Sequence, residues 1–194
     1  MLTRSSKLTL WLAAAALAMG LPTALMARVK VSVNYDKRVD FKPLRTWAWN
    51  PSGPGEVRMA RTADDDKEAA RKMAEPILME AIPSELAKRG LTEAKGKPDL
   101  TVTYYLLLTA GVDAQVMGQF LSATPEWGLP PFAPATQSFK ATNNGALVID
   151  FHAQNDIVWR GVAQAQLDPG IDRKKRESVL REAIRDLIKR FPPK

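Results

Sequence analysis

Residues 145–167 read GALVIDFHAQNDIVWRGVAQAQL. Two apolar runs lie between Gly145 and the Asp168-Pro169-Gly170 turn and break at Gln154-Asn155-Asp156, which is the punctuation of a β-hairpin. The side-chain period of two sets its register. With Gln154, Asn155 and Asp156 as a three-residue loop, Phe151 faces Trp159, Ile149 faces Gly161, Leu147 faces Ala163 and Asp150 faces Arg160, so one face is apolar throughout. A two-residue loop of Asn155 and Asp156 sets Phe151 against Arg160 and His152 against Trp159, scattering apolar side chains over both faces. The three-residue loop is therefore expected, with Asp156 left-handed. The Asp150–Arg160 pair is expected on the outer face, contributing about 0.2–1 kcal/mol, several times less than burial of Trp159 and Phe151.

Upstream, residues 100–108 put Leu100, Val102, Tyr104, Leu106 and Leu108 on one face of a strand and Thr101, Thr103 and Tyr105 on the other, until Leu107 makes both faces apolar. Such a strand is expected to be central or covered. The candidate cover is the segment 109–144, rich in Pro, Gly and Ala and punctuated by Phe120, Trp127, Leu129, Phe132 and Phe139. Loops of this length are functional or disordered, and Trp127-Gly128-Leu129-Pro130-Pro131-Phe132 carries too many rings for simple disorder. It reads either as a flap over the sheet or as a recognition loop, with Trp127, Leu129, Phe132 and Phe120 as anchors for a partner.

Val29, Val31, Val33 and Tyr35 alternate with Lys30, Ser32 and Asn34 as a half-buried strand. Thr46-Trp47-Ala48-Trp49 is a second, with both Trp on one face, as core or as a sugar platform. Residues 51–63 read as a loop. Asp64-Asp65-Asp66 leads into a helix over about 67–89, where Pro76 and Pro83 predict a kink or a split and Gly90 caps the end. The three Asp lack the spacing and turn glycine of an oxygen-ligand cation loop. A final helix carries Leu180, Ala183, Ile184, Leu187, Ile188 and Phe191 on one stripe, capped by Asp172 and stopped by Pro192-Pro193. The expected fold is a single α/β (α+β) domain over 28–194. It has a mainly antiparallel sheet of about five strands and two helices on one face, in the order β, β, α, β, β, β, α.

Residues 1–27 read as a signal peptide: Arg4 and Lys7 precede the apolar run 8–19, and small residues end at Ala27. That run is shorter than the roughly 20 residues of a membrane span, so cleavage near Ala27 and a periplasmic or secreted product are expected. The chain has no cysteine, which excludes disulfides and thiolate chemistry. From Arg28 onward the net charge is +5, of which residues 173–194 alone supply +6, from nine basic and three acidic side chains. A local basic patch at Arg173, Lys174, Lys175 and Arg176 is expected to face an anionic surface, or else to be a solvated helix face.

The chemical inventory is sparse. G-x-S-x-G, Walker A, G-x-G-x-x-G and H-E-x-x-H motifs are all missing. His152 is the sole histidine, with no second His or Cys to complete a metal or nucleophile site, and reads as structural or solvent-facing. No cofactor, metal or nucleic-acid partner is expected. Glycosidase-like carboxylate pairs need only be near in space, which leaves Asp150, Glu126 and Asp40 to check.

Asp40-Phe41, Thr46-Trp47-Ala48-Trp49, Leu86 with Lys88 and Gly90, Pro98-Asp99-Leu100, the run 145–150, Trp159-Arg160-Gly161 and Phe191-Pro192 resemble, in that order, the bacterial envelope proteins grouped as domain of unknown function four-one-three-six. The resemblance covers about Val29 to Pro192. It implies a secreted or lipid-anchored α/β domain with no established activity. This sequence departs from the lipoprotein-like members because no cysteine follows the signal, which rules out direct lipid anchoring, and because His152 and Ala153 stand near the turn where the pattern has an acidic residue. The expected role is a non-catalytic envelope protein that binds a partner protein or envelope polymer through the aromatic loop. The alternative is a hydrolase of a cell-wall or surface polymer built on converged carboxylates.

Overall fold

A computed structural model describes residues 29–60, 67–109, 120–121, 132, 139–140, 144–166 and 170–193. Residues 1–27, expected to be a signal peptide, Asp64 to Asp66 and most of 109–144 lie outside these residues. The elements run β1 (Lys30–Tyr35), β2 (Thr46–Trp49), β3 (Gly55–Ala60), α1 (Lys67–Lys88), β4 (Thr92–Glu93), β5 (Leu100–Thr109), β6 (Phe120–Leu121), β7 (Phe139–Lys140), β8 (Asn144–Ala153), β9 (Asp156–Gln166) and α2 (Arg173–Ile188). The class is the expected α+β, but the main sheet has seven strands and is mixed. Its order is β1-β9-β8-β5-β2-β4, with β3 also on β5, while β6 and β7 pair apart.

The surplus strands have physical causes. Residues 55–60, expected to be loop, form β3, which pairs parallel with β5 from Gly55↔Tyr104 to Ala60↔Thr109. β2 pairs parallel with the earlier part of β5, Trp47↔Leu100 to Trp49↔Val102. The two are one interrupted strand, since Asn50 N donates to Val102 O and Tyr104 N to Pro54 O on either side of the Pro51-Ser52-Gly53 detour. Pro51 and Pro54 hide this continuity from sequence, as prolines usually end strands. The pairing is parallel, and α1 supplies the crossover connection that parallel strands need.

The hairpin β8–β9 keeps the expected pairs Phe151↔Trp159, Asp150↔Arg160, Ile149↔Gly161 and Leu147↔Ala163. Its turn differs. Ala153 pairs with Asp156 and His152 with Ile157, leaving a two-residue turn and a register shift that makes Val158 the extra residue. The left-handed residue is Gln154, at φ 58°, and not Asp156. The bulge restores the register that a longer loop would have given, so packing of Phe151 on Trp159 sets the pairs and the turn adapts.

Pro76 and Pro83 do not split α1, which runs unbroken through both. Each proline removes one backbone bond, but Ala74, Ile77, Leu78, Ala81, Ile82 and Leu86 are buried and hold the helix against the core. α2 begins as expected, with Asp172 Oδ1 accepting from Lys175 N at 2.8 Å. Both helices share one core with Trp47, Val102, Tyr104, Ile149, Phe151, Trp159 and Phe191. The ring of Phe191 sits 4.3 Å from Phe151 and 5.7 Å from both Trp159 and Phe41, closing the chain end onto the first segment. Trp47 is core at 2% exposure, its ring 5.3 Å from the half-buried Trp49.

Candidate functional site

Alternation along β5, β8 and β9 sends a second set of side chains to the face away from the helices. Thr103, Tyr105, Leu107, Ala146, Val148, Asp150, His152, Arg160 and Val162 are all buried there. Apolar residues on both faces of three neighbouring strands mean that neither face is solvated. The Asp150–Arg160 pair, expected on an open outer face, is therefore enclosed, at 0% and 2% side-chain exposure. Arg160 Nε donates to Asp150 Oδ1 at 2.7 Å and a terminal guanidinium nitrogen donates to Oδ2 at 2.6 Å. This bidentate geometry is what makes a buried pair tolerable.

Neighbours complete a polar patch within that face. Thr103 lies opposite Asp150 and Thr101 opposite His152. The Thr103 hydroxyl accepts from Asn50 Nδ2 at 3.2 Å. The Tyr105 ring takes the Arg58 guanidinium at 5.3 Å, and burial pushes its phenol above the ordinary value. Burial lowers the His152 imidazole below its ordinary value, against the opposing pull of Asp150, and its buried Nε2 has no hydrogen-bond partner among the described residues. Burial likewise pushes the Asp150 carboxyl up, while the Arg160 hydrogen bonds pull it down. The Phe132 ring lies 5.8 Å from the Arg160 guanidinium and is itself 7% exposed. A cation under a ring in an enclosed site is worth about 1–2 kcal/mol.

Chemically, Asp150 is a held charge: both carboxylate oxygens accept from Arg160. Asp40, a second carboxylate of the hydrolase reading, is on the exposed turn that accepts from Lys42 N, and Glu126 lies outside the described residues. Among the described residues no group of three His, Cys, Asp or Glu could hold a metal ion, and no helix is long and apolar enough to cross a membrane.

Of the four expected partner anchors, Phe132 is turned inward onto Arg160, Phe120 belongs to β6, and Trp127 and Leu129 lie outside the described residues. Of the basic patch, Arg173 and Lys174 are exposed and Lys175 is half-buried. Arg176 folds back so that its Nε donates to Ile171 O at 3.0 Å. The Phe132–Arg160 contact was not read from sequence. Its signal was present in Ala146, Val148 and Val162, which make the outer face of the hairpin apolar around Asp150.

The other shared motifs are structural joints. Asp99 Oδ2 accepts from Arg45 N at 2.9 Å and from Thr46 N and Oγ1 at 2.8 Å, while Asp99 N donates back to Thr46 Oγ1 at 3.0 Å. That clamp fixes the start of β2 to the start of β5. In Trp159-Arg160-Gly161, Trp faces the helices and Arg the second face, and Gly leaves room for the Trp159 ring and for Leu187 of α2.

The family model described as "Domain of unknown function (DUF4136)" matches residues 31–193. A search of the curated proteins returns no match. Among solved structures, a DUF4136 family protein from Bacteroides thetaiotaomicron is 17% identical over 84% of this chain and 96% of its own, with a TM-score of 0.46. A PDZ domain protein from Parabacteroides distasonis is 16% identical over 87% of this chain, with a TM-score of 0.48, and this chain spans 38% of that protein. The PelC dodecamer from Paraburkholderia phytofirmans is 8% identical over 83% of this chain and 96% of its own, with a TM-score of 0.36.

Proposed function

The chain belongs to the DUF4136 family, and from that premise we propose that it is an exported, non-catalytic protein of the bacterial envelope that binds a partner protein or envelope polymer through the aromatic segment around Trp127. The observation that carries this reading is the burial of Phe132 against Arg160, which ties the segment to a rigid sheet. An element tethered at one ring presents its neighbours at lower entropic cost than a free loop does. Between Glu126 and Lys140 there is no charged residue, so this stretch can be desolvated without stranding a charge. The buried Asp150–Arg160 pair then serves as the base of the tether.

Export is supported by the leader-like residues 1–27. Mass spectrometry of the native chain is expected to find a mature start near Arg28 in the periplasmic fraction, and an intact Met1 in carbonate-washed membranes would overturn this. For binding, Trp127→Ala is expected to weaken capture of the partner by about 2 kcal/mol or more while leaving the melting temperature in place. Phe132→Ala is expected to lower both. If Trp127→Ala lowers the melting temperature by many degrees and leaves binding per folded molecule unchanged, the segment is sheet cover and the reading fails.

A further inference from the structure

The end of the sheet at which both helices finish joins four segments distant in sequence. Arg89 Nε donates to Phe191 O at 2.8 Å, and the Phe41 and Phe191 rings are 5.7 Å apart. Thr92 N donates to Arg45 O at 2.9 Å, and Arg45 N donates to Asp99 Oδ2 at 2.9 Å. Residues 37–45, 89–92, 95–99 and 189–191 therefore form one continuous surface.

Its charge is lopsided. The first segment contributes Lys37, Lys42 and Arg45, all exposed. Arg89 follows α1, Lys95 and Lys97 stand on the turn before β5, and Lys189 and Arg190 follow α2, again all exposed. None of these eight forms an ion pair among the described residues, whereas Arg38 and Lys88 nearby are closed by Asp36 and Glu85. Among the described residues the remaining carboxylates here are Asp40, Glu93, Asp99 and, at the hairpin turn, Asp156, and Asp99 already accepts three hydrogen bonds through one oxygen. A surplus of positive charge remains even when all four count in full. Complementing the helix dipoles accounts for Arg89, Lys189 and Arg190. It does not account for the five cations on loops.

We infer that this end of the sheet is a docking surface for a linear anionic glycan bearing carboxylate or phosphate groups. The cations are spread over four segments, which suits a repeating polyanion better than a single small anion. A bilayer fits less well, because surface-seated proteins add inserted rings to their charges and the rings here, Phe41 and Phe191, are buried at 7% and 1% exposure. The surface is distinct from Arg173 to Arg176, at the opposite end of α2.

The test is titration of the mature chain with polygalacturonate at two salt concentrations, beside vesicles of phosphatidylglycerol and phosphatidylcholine. Native protein is expected to bind the polymer with affinity that falls as salt rises. The triple change Lys42→Glu, Lys95→Glu, Lys97→Glu is expected to weaken binding at least about tenfold, and Arg173→Glu, Lys174→Glu, Lys175→Glu, of equal charge change, less than about twofold. Amide shift changes on titration should cluster at 37–45, 89–99 and 189–191, a readout that needs no variant to fold. Absence of polymer binding, equal losses from the two triples, or binding to vesicles alone would each overturn the assignment.

Discussion

Asp150→Ala removes one half of an ion pair whose other half cannot reach water. Arg160 keeps its charge at any accessible pH and is 2% exposed, with Asp150 taking donors from two of its nitrogens at 2.7 and 2.6 Å. Leaving such a cation buried without its counter-charge costs about 3–5 kcal/mol. For a domain of this size each kcal/mol moves the midpoint by about 2–4 °C, so a fall on the order of 10 °C is expected. Urea unfolding followed by circular dichroism gives the free energy, with an unchanged slope showing that the unfolding transition is the same. The double change Asp150→Leu, Arg160→Met removes both charges and is expected to recover most of the loss, giving a large coupling energy in the cycle. A single-variant cost below about 1 kcal/mol, the range of an exposed pair, would refute the enclosed second face.

Three further outcomes follow from the same geometry. Gly161→Ala places a Cβ against the Trp159 ring and 2.8 Å from Leu187 Cδ2, and calorimetry is expected to show a loss of about 1–3 kcal/mol from overpacking; an unchanged midpoint would mean that α2 is not pressed on β9. His152 is held below its ordinary value by burial, so its contribution is complete above about pH 6.5 and is lost as pH falls through the folded value. His152→Gln should flatten the stability profile below pH 6.5, and NMR titration of this one histidine should give a midpoint below that of a free imidazole. Asp99 is held below the usual carboxylate range by hydrogen bonds from Arg45 N and from Thr46. Its contribution is present above about pH 3.9 and falls away as pH drops through the folded value, so Asp99→Asn should lose that acid limb; an identical acid limb in both proteins would remove the β2–β5 clamp from the account.

The hairpin pairs, the faces of β5 and the caps at Asp172 and Gly90 were legible because each rests on local chemistry: alternation, a side-chain acceptor, a left-handed glycine. The two-residue turn was not, since glutamine has no preference for the left-handed region that Gln154 occupies at φ 58° and only the packing of Phe151 on Trp159 explains the bulge at Val158. β3 was hidden by prolines that interrupt one path along β5 without ending it. The site was half legible. Asp150 opposite Arg160 followed from register, but whether that face is wet or dry depends on what lies over it, and covering contacts such as Phe132 on Arg160 join residues far apart in sequence. The charged end near Phe41 and Phe191 was illegible for the same reason, because a count along the chain sees the compact run Arg173 to Arg176 and misses cations that only folding collects.

The central claim, that the aromatic segment is a partner-binding element tethered to the sheet at Phe132, is tested most directly by site-specific photocrosslinking in intact envelopes. A photoreactive residue at position 127 is expected to give a discrete adduct that disappears in the Phe132→Ala background, while the same residue at the exposed position 72 on α1 gives none. Adducts of equal yield at both positions, or adducts at 127 only to the chain's own sheet, would contradict it.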